Sequence, residues 1–474
     1  MSSSPALSAQ TAELIKLITQ AATAIENAYT TNNQPIPSLA PSSAADTGSD
    51  RGVGQLPSAE FLQNVDLLKA AADKLIAKFA PPPVHVASTC MAFLDSAAMH
   101  VVVDHGIADI IRRHDPDASK GVPVETIAVE AKLEPRHLAR LLRHLANLRH
   151  IFVETAPSVF ALNRHSTTLL PDSASSCINI YGFYLDEALL SAPFLNKSLS
   201  DLSNSAAFSI ENSAFARAYG KQIFDVYAAE PARAIRFGKA MPEVSSLISL
   251  ARSVAEDVPW QVEFGSRNPK GVFVDVGGGA GHEALGIAPK LPGWEFVVED
   301  LPHVIETSAK ELWDAHGSQI NHRLVTQNFF EPQSVKGADI YYLKYIMPLL
   351  KSRSPPCSLV NRLIGTRIKH DWPDQKSIEI LKHIRAAADP VKTRLLIAES
   401  IITDLVEGQT SASALKGAGL AHSADLLMMA VLEAQERTLE EFRTNIIEPS
   451  GFKVVKVHPI RSHTGIAVIE CVPV

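Results

Sequence analysis

Val272-Phe273-Val274-Asp275-Val276-Gly277-Gly278-Gly279-Ala280-Gly281-His282 decides the fold of this 474-residue chain. Its first half is short, apolar and β-branched, the composition of a buried strand. Its second half is a glycine turn, where backbone can approach a bound molecule that a side chain would exclude. Glycines stand at 277, 279 and 281, with an acid, Asp275, two positions before the first. A dinucleotide-binding loop wants glycines at its first, third and sixth positions, the last for packing helix on strand. The sixth position here is His282, so the loop is a poor pyrophosphate cradle. Two readings stay open from this stretch alone: a ligand loop of another kind, or an ordinary strand-to-helix turn.

Working outward, the chain after residue 270 alternates strands with helices, the pattern of a parallel sheet. Strands are expected at 271–276, 295–299, 322–326, 338–346 and 394–399, and helices at 302–315, 374–388 and 418–433. Two last strands, 452–458 and 465–472, are expected to close the sheet as an antiparallel hairpin. Upstream, 6–30 is periodic as a helix, and 31–58 is rich in Pro, Ser, Gly and Asn, a flexible linker by composition. A helix at 59–79 stops before Pro81-Pro82-Pro83. Between 84 and 170 small helices precede two short β runs, Ile151-Phe152-Val153 and Val159-Phe160-Ala161-Leu162, which reads as a winged helix. The helix opened by Glu134-Pro135-Arg136 carries an apolar stripe of Leu138, Leu141, Leu142, Leu145 and Leu148. It also carries Arg136, Arg140, Arg143 and Arg149, which raises DNA binding as a rival. Residues 171–265 read as mainly helical, with Phe215, Tyr219, Phe224 and Tyr227 spaced along one helix at 213–229 that lines a core or pocket.

Composition limits the function classes. Hydrophobic residues make up 46% and charged ones 20%, as in a globular chain with a real core. A formal charge of −7 opposes nucleic-acid binding through bulk electrostatics, so no nucleic-acid partner is expected. No apolar run reads as a membrane span, and the N-terminal stretch lacks the basic-then-apolar pattern of a secretory signal. Cys90, Cys177, Cys357 and Cys471 are scattered without metal-ligand spacing, so no metal is expected and a reducing, cytoplasmic setting is.

Further motifs supply chemistry. Glu299-Asp300-Leu301-Pro302-His303 ends the strand after the glycine loop, where a carboxylate faces the ligand crevice of an open sheet and can accept two ribose hydroxyls. Asp300 is the candidate, and capping of the following helix is compatible with that role. Later come His370-Asp371-Trp372-Pro373-Asp374, Ala398-Glu399-Ser400 and Glu436-Arg437-Thr438. A phenol ionises near ~10 and needs a base at neutral pH, and imidazole near ~6.5 can take the proton. A carboxylate on the other ring nitrogen fixes the tautomer. Taken alone, the His-Asp-Trp-Pro-Asp run also suits a helix start, with Asp371 as cap and Pro373 in the first turn.

In this order, Asp275 to Gly281, Asp300-Leu301-Pro302-His303, His370-Asp371-Trp372, Glu399 and Glu436-Arg437-Thr438 resemble the caffeate- and flavonoid-type small-molecule O-methyltransferases and their fungal relatives. The glycine stretch is similar to motif I of S-adenosylmethionine-dependent methyltransferases. The resemblance covers the chain from about residue 84 onward. It implies an α/β class I methyltransferase sheet, Rossmann-like, closed by the antiparallel hairpin and preceded by a helical winged-helix dimerisation domain. Together with the periodicity and composition upstream, it divides the chain into 1–58 (helix and linker), 59–170 (winged-helix dimerisation), 171–234 (helical connection and substrate pocket) and 235–474 (cofactor-binding methyltransferase). The cofactor implied is S-adenosyl-L-methionine, the partners a small hydroxylated aromatic and a second copy of the chain. His370 matches the family's general base, with Glu399 and Glu436 flanking it. Asp275, Gly277, Gly279, Asp300, Asn328, Phe329 and Lys344 match cofactor positions, and Asp425, Met428 and Met429 border the acceptor. Asn328 departs from the acid the family usually carries near the adenine, and an amide there can still hydrogen-bond the base.

One departure is larger. In relatives the strand ending like Leu343-Lys344-Tyr345 runs directly into the histidine motif, whereas here PLLKSRSPPCSLVNRLIGTRIK, residues 348–369, intervenes. It carries three prolines and five Lys or Arg residues with no acid. Two origins fit it: a genuine surface loop, closed at an entropic cost that grows only logarithmically with length, or translated non-coding sequence. The alternative function it raises is a methyltransferase-like protein that binds cofactor without turnover.

Overall fold

The computed structural model describes residues 7–42, 58–173, 175–201, 212–247, 250–317, 319–344, 374–402, 420–461 and 465–474. His370 and the insertion 348–369 lie outside them. The chain divides into two compact units, with a boundary between Leu190 and Ser191, inside the span 171–234 expected as a connection. Pro242–Leu247 belongs with the first unit.

In the first unit, α1 (Ala9–Thr31) and α2 (Ala59–Phe79) lie against each other. Leu14, Leu17 and Ala21 of α1 bury against Leu67 and Ala71 of α2. Ser8 and Ser58 cap the two helices by accepting the N–H of Thr11 and Phe61 at 3.4 and 3.0 Å. Then come α3 (Pro82–Met91), α4 (Phe93–Asp104), α5 (Ile107–His114), α6 (Val124–Ala131) and α7 (Pro135–Arg149). Strands β1 (Val122–Pro123), β2 (Phe152–Ala156) and β3 (Val159–Leu162) form an antiparallel sheet in the order β1-β3-β2, the wing. Leu138, Leu142 and Leu145 of α7 are buried with Ile127, Phe152 and Phe160, about 1.5–3 kcal/mol per large side chain. Leu148, expected in the same stripe, is instead 62% exposed, because it falls in the last turn as the chain leaves the core. Two of the arginines weighed for DNA are engaged internally: Arg143 holds Glu154 from Nε at 2.9 Å and Nη2 at 2.6 Å, and Arg149 pairs with Asp95.

The expectation that no run reads as a membrane span needs correction. Pro82–Asp104 is long and apolar enough by length and composition, with a mean hydropathy of 1.5. Asp95 within it is bound by His144, at 2.8 Å, and by Arg149 of α7, while Ala98 and Val102 sit in the winged-helix core. Those contacts make α4 part of the domain. Val84, Val86, Met91 and Phe93, one helix turn and more upstream, stay exposed.

The second unit is built on a sheet in the order β10-β11-β8-β7-β4-β5-β6. Its strands are β4 (Val272–Val276), β5 (Glu295–Asp300), β6 (His322–Thr326), β7 (Ile340–Lys344), β8 (Arg394–Ile402), β9 (Arg437–Thr438), β10 (Phe452–Pro459) and β11 (Ile466–Pro473). Strands β4 to β8 pair in parallel, and β11 runs antiparallel between β8 and β10. Strand ends lie within one residue of expectation except in β7, which starts at Ile340 and is described to Lys344, and in β8, which runs on to Ile402, where short β9 pairs with it. Side chains alternate between two covered faces. Val274, Val276, Leu343 and Ile397 bury against helix Asp374–Ala387 and segment Phe442–Ile447. Phe273 on the opposite face meets Trp260, Phe296 and Tyr342, with ring centroids 5.1–6.0 Å apart. The single helix expected at 213–229 is two, Ala214–Tyr219 and Ile223–Ala229, because Gly220 ends the first at φ +72°.

Candidate active site

Strand order reverses between β5 and β7 on either side of β4, so the crevice beyond the C-terminal end of β4 is where an open sheet binds ligand. The glycine turn sits there. Gly277, Gly279 and Gly281 have φ of +65°, +65° and +83°, a region that only glycine enters without strain. A Cβ on Gly278 would stand closer than 3.0 Å to the Asp275 carboxyl, so the turn folds directly over that acid. On the outer side, Trp313 Nε1 donates to the Ala280 carbonyl at 3.0 Å, and the indole leaves no room for a Cβ at Gly281.

Asp275 is 2% exposed, and its Oδ2 has no hydrogen-bond partner among the described residues. Burial pushes its pKa up to about 8, helped by the negative charge of Glu283 and opposed by Lys344 and the Ala284 N–H. Asp300, at the end of β5, accepts the Gly279 N–H on Oδ2 at 2.9 Å and the Leu301 N–H on Oδ1 at 2.7 Å. Burial raises its pKa to about 6 against those two donors. The sequence thus pointed to two acids that the fold brings to one loop. Lys344, at the end of β7, forms an ion pair with Glu283, a residue that sequence reasoning passed over. The position of Glu283 just after the last glycine was the available signal. Glu299 faces away from this pair: it accepts from Gln333 Nε2 at 2.7 Å and Ser334 Oγ at 3.3 Å.

Asn328 follows β6, and its Oδ1 accepts the Phe330 N–H at 3.1 Å, an Asx turn that fixes the segment. Phe329 and Phe330 meet edge to face with centroids 4.9 Å apart, and both pack on the core beneath β7. A pocket for an adenosyl group is chemically consistent with these residues: unpaired buried oxygen at Asp275, a glycine cradle, a carboxylate at Asp300 and an aromatic flank. They fit S-adenosylmethionine.

A second group of acids lies along β8. Glu399 is 1% exposed and shares a small cavity with Leu343, Ser377, Ile397 and Phe442, on the face covered by helix Asp374–Ala387. The parallel pairing of Ile401 with Arg437 brings the residue before β9, Glu436, alongside the end of β8. Arg437 is 3% exposed and holds Asp374 Oδ1 from Nε at 3.2 Å and Nη2 at 3.0 Å. That pair, unforeseen from sequence, ties Arg437, the neighbour of Glu436, to the first residue of the helix, four positions past His370. Thr438 then starts the next turn with a capping box to Glu441. The Glu436 N–H donates to Asp425 Oδ1 at 2.7 Å, and burial raises the Asp425 pKa. Asp425 lies on helix Leu420–Leu432, where Met428 is 6% exposed and Met429 lies partly buried on the flank.

Comparison with known proteins agrees with this layout. The model of the O-methyltransferase domain family matches residues 199–350 and 349–453, more than half of the chain, in two segments that meet within the insertion. The O-methyltransferase gedA of Aspergillus terreus is 27% identical over 452 residues, 87% of each chain. The O-methyltransferase xanE of Aspergillus fumigatus is 30% identical over 359 residues, 74% of this chain and 72% of that one. Among solved structures, the O-methyltransferase NcsB1 of neocarzinostatin biosynthesis, in complex with S-adenosyl-L-homocysteine and 1,4-dihydroxy-2-naphthoic acid, shares the fold with a TM-score of 0.55. It is 21% identical, and the match covers 80% of this chain and 96% of that one. The chain therefore belongs to the O-methyltransferase domain family, as an S-adenosylmethionine-dependent enzyme.

Proposed function

We propose that the chain methylates a phenolic hydroxyl of a small aromatic compound, with His370 as general base. The observation that carries the reading is the geometry at the end of β8: the β8–β9 pairing brings the Glu436 backbone alongside that end, one residue beyond Glu399, and Arg437 binds Asp374, four residues beyond His370. When bound, S-adenosylmethionine supplies an activated methyl group. Asp300, Gly277, Gly279, Asn328, Phe329 and Lys344 would hold it, over the carboxyl of Asp275. His370 would take the phenol proton, and a carboxylate from Glu399 or Glu436 would orient the ring and stabilise the imidazolium. Asp425, Met428 and Met429 would border the acceptor. Cofactor titration paired with a methylation assay on a panel of phenols tests this. His370→Gln is expected to keep cofactor affinity and lose about 10²–10⁴-fold in kcat. Near-normal turnover in that variant removes His370 from the base role.

The insertion favours a second reading, cofactor binding without turnover, because it separates β7 from the base and the family match breaks at that point. Misplacement of a catalytic group by ~1 Å costs roughly a hundredfold. A variant lacking 348–369 that turns over phenols when the full chain does not would establish that reading. Association with a second copy through the first unit is part of the proposal, supported by the exposed Val84, Val86, Met91 and Phe93. A monomeric mass in solution by light scattering would refute it.

A further inference from the structure

Helix Leu420–Leu432, which carries the residues proposed above to border the acceptor, also carries a polar group that no motif singled out. His422 lies one turn before Asp425 and two turns before Met429, so the three share a stripe at the edge of the buried face. Its Nε2 is buried and has no hydrogen-bond partner among the described residues. A buried imidazole nitrogen left unpaired is costly, and native proteins rarely leave one so without a function. Nearby, helix Ala214–Tyr219 packs on helix Leu420–Leu432, and Gln222, three residues past its end, carries a second buried unpartnered atom, Oε1.

We infer that His422 Nε2 is a docking point for a second oxygen of the acceptor, so that the substrate is a polyoxygenated aromatic rather than a simple phenol. Charge narrows the class. His422 interacts electrostatically with the Asp425 carboxyl, and the Glu436 carboxylate is close behind it. Two acids at that point repel a carboxylate on the acceptor. A neutral hydroxyl or ketone is accommodated, and a hydroxyl suits either tautomer because it can donate or accept. The inference rests on the aromatic-hydroxyl reading above and adds the identity of the second recognition group.

The test compares 2-naphthol with the dihydroxynaphthalene isomers, on wild type, His422→Leu and His422→Gln of the full chain. Ratios are read from kcat/KM and, independently of turnover, from Kd in the S-adenosylhomocysteine complex. Wild type is expected to favour at least one dihydroxy isomer by about 10-fold or more. In His422→Leu the ratio should fall to within about 2-fold, and His422→Gln, which keeps a donor and an acceptor, should retain part of it. Unchanged affinity for S-adenosylhomocysteine separates this effect from misfolding. A wild type with no such preference, or a preference that survives in His422→Leu, overturns the inference. Absence of any methylation, with the binding ratio still responding to His422, would instead count against the phenol-methylation reading alone.

Discussion

Asp275→Asn should stabilise the cofactor-free protein, and by an amount that depends on pH in a defined direction. The Asp275 carboxyl lies under the glycine turn, 2% exposed, with a pKa of about 8 against 3.8 for an unperturbed aspartate. Between those values the folded protein holds a proton that the unfolded chain has lost. Stability contributed at this position therefore falls as pH rises from about 4, and the fall stops above about 8. At 1.36 kcal/mol per unit the full displacement corresponds to ~6 kcal/mol, and relaxation of Lys344 and Glu283 around the charge reduces it to a few kcal/mol. Asparagine keeps the shape and the acceptor for the Ala284 N–H but never ionises. Its melting temperature advantage over wild type should widen by about 5 °C or more between pH 5 and pH 8, at about 2–4 °C per kcal/mol. Scanning fluorimetry from pH 5 to 9 without cofactor measures the difference. A difference that stays constant across that range would refute the reasoning, since only a proton held by Asp275 makes it vary.

Gly278→Ala places a methyl against the same carboxyl, so the turn or Asp275 must move; cofactor Kd measured by calorimetry should rise about 5–100-fold, from ~1–3 kcal/mol of overpacking. Arg437→Met removes the bidentate hold on Asp374 and should destabilise the protein by about 1–3 kcal/mol in urea titration, discounted because Asp374 is partly exposed. Asp374→Asn should recover part of the stability lost in Arg437→Met, since it removes the carboxylate left without its cation.

Much of the fold was legible because its signals are local. Val272 to Val276, Glu295 to Asp300 and His322 to Thr326 are strands of β-branched and apolar residues bounded by turn formers, and each lies where the sequence placed it. Failures fell where an element's end depends on neighbours. Leu148 keeps the helical spacing of α7 but projects past the core, and β8 continues beyond Glu399-Ser400 because β9, with Arg437 36 residues after its partner Ile401, pairs with its end. In the site, Asp275 and Asp300 carried motif signals. Glu283 and His422 did not, and Arg437 stood in a motif that gave no sign of its partner, because Lys344, Asp374 and the Asp425 carboxyl come from another strand, another helix or the next helical turn.

By itself the sequence determined the strand–glycine-turn–helix unit at 272–287, the parallel alternation after it and the acids that follow at fixed distance, since backbone conformation and hydrophobic period act over a few residues. The tertiary structure decided what those acids do. Burial beneath Gly278 sets the protonation of Asp275, the Gly279 N–H claims Asp300, and the β8–β9 pairing brings Glu436 alongside the end of β8. Desolvation and charge proximity are properties of three-dimensional neighbours, and no spacing along the chain encodes them.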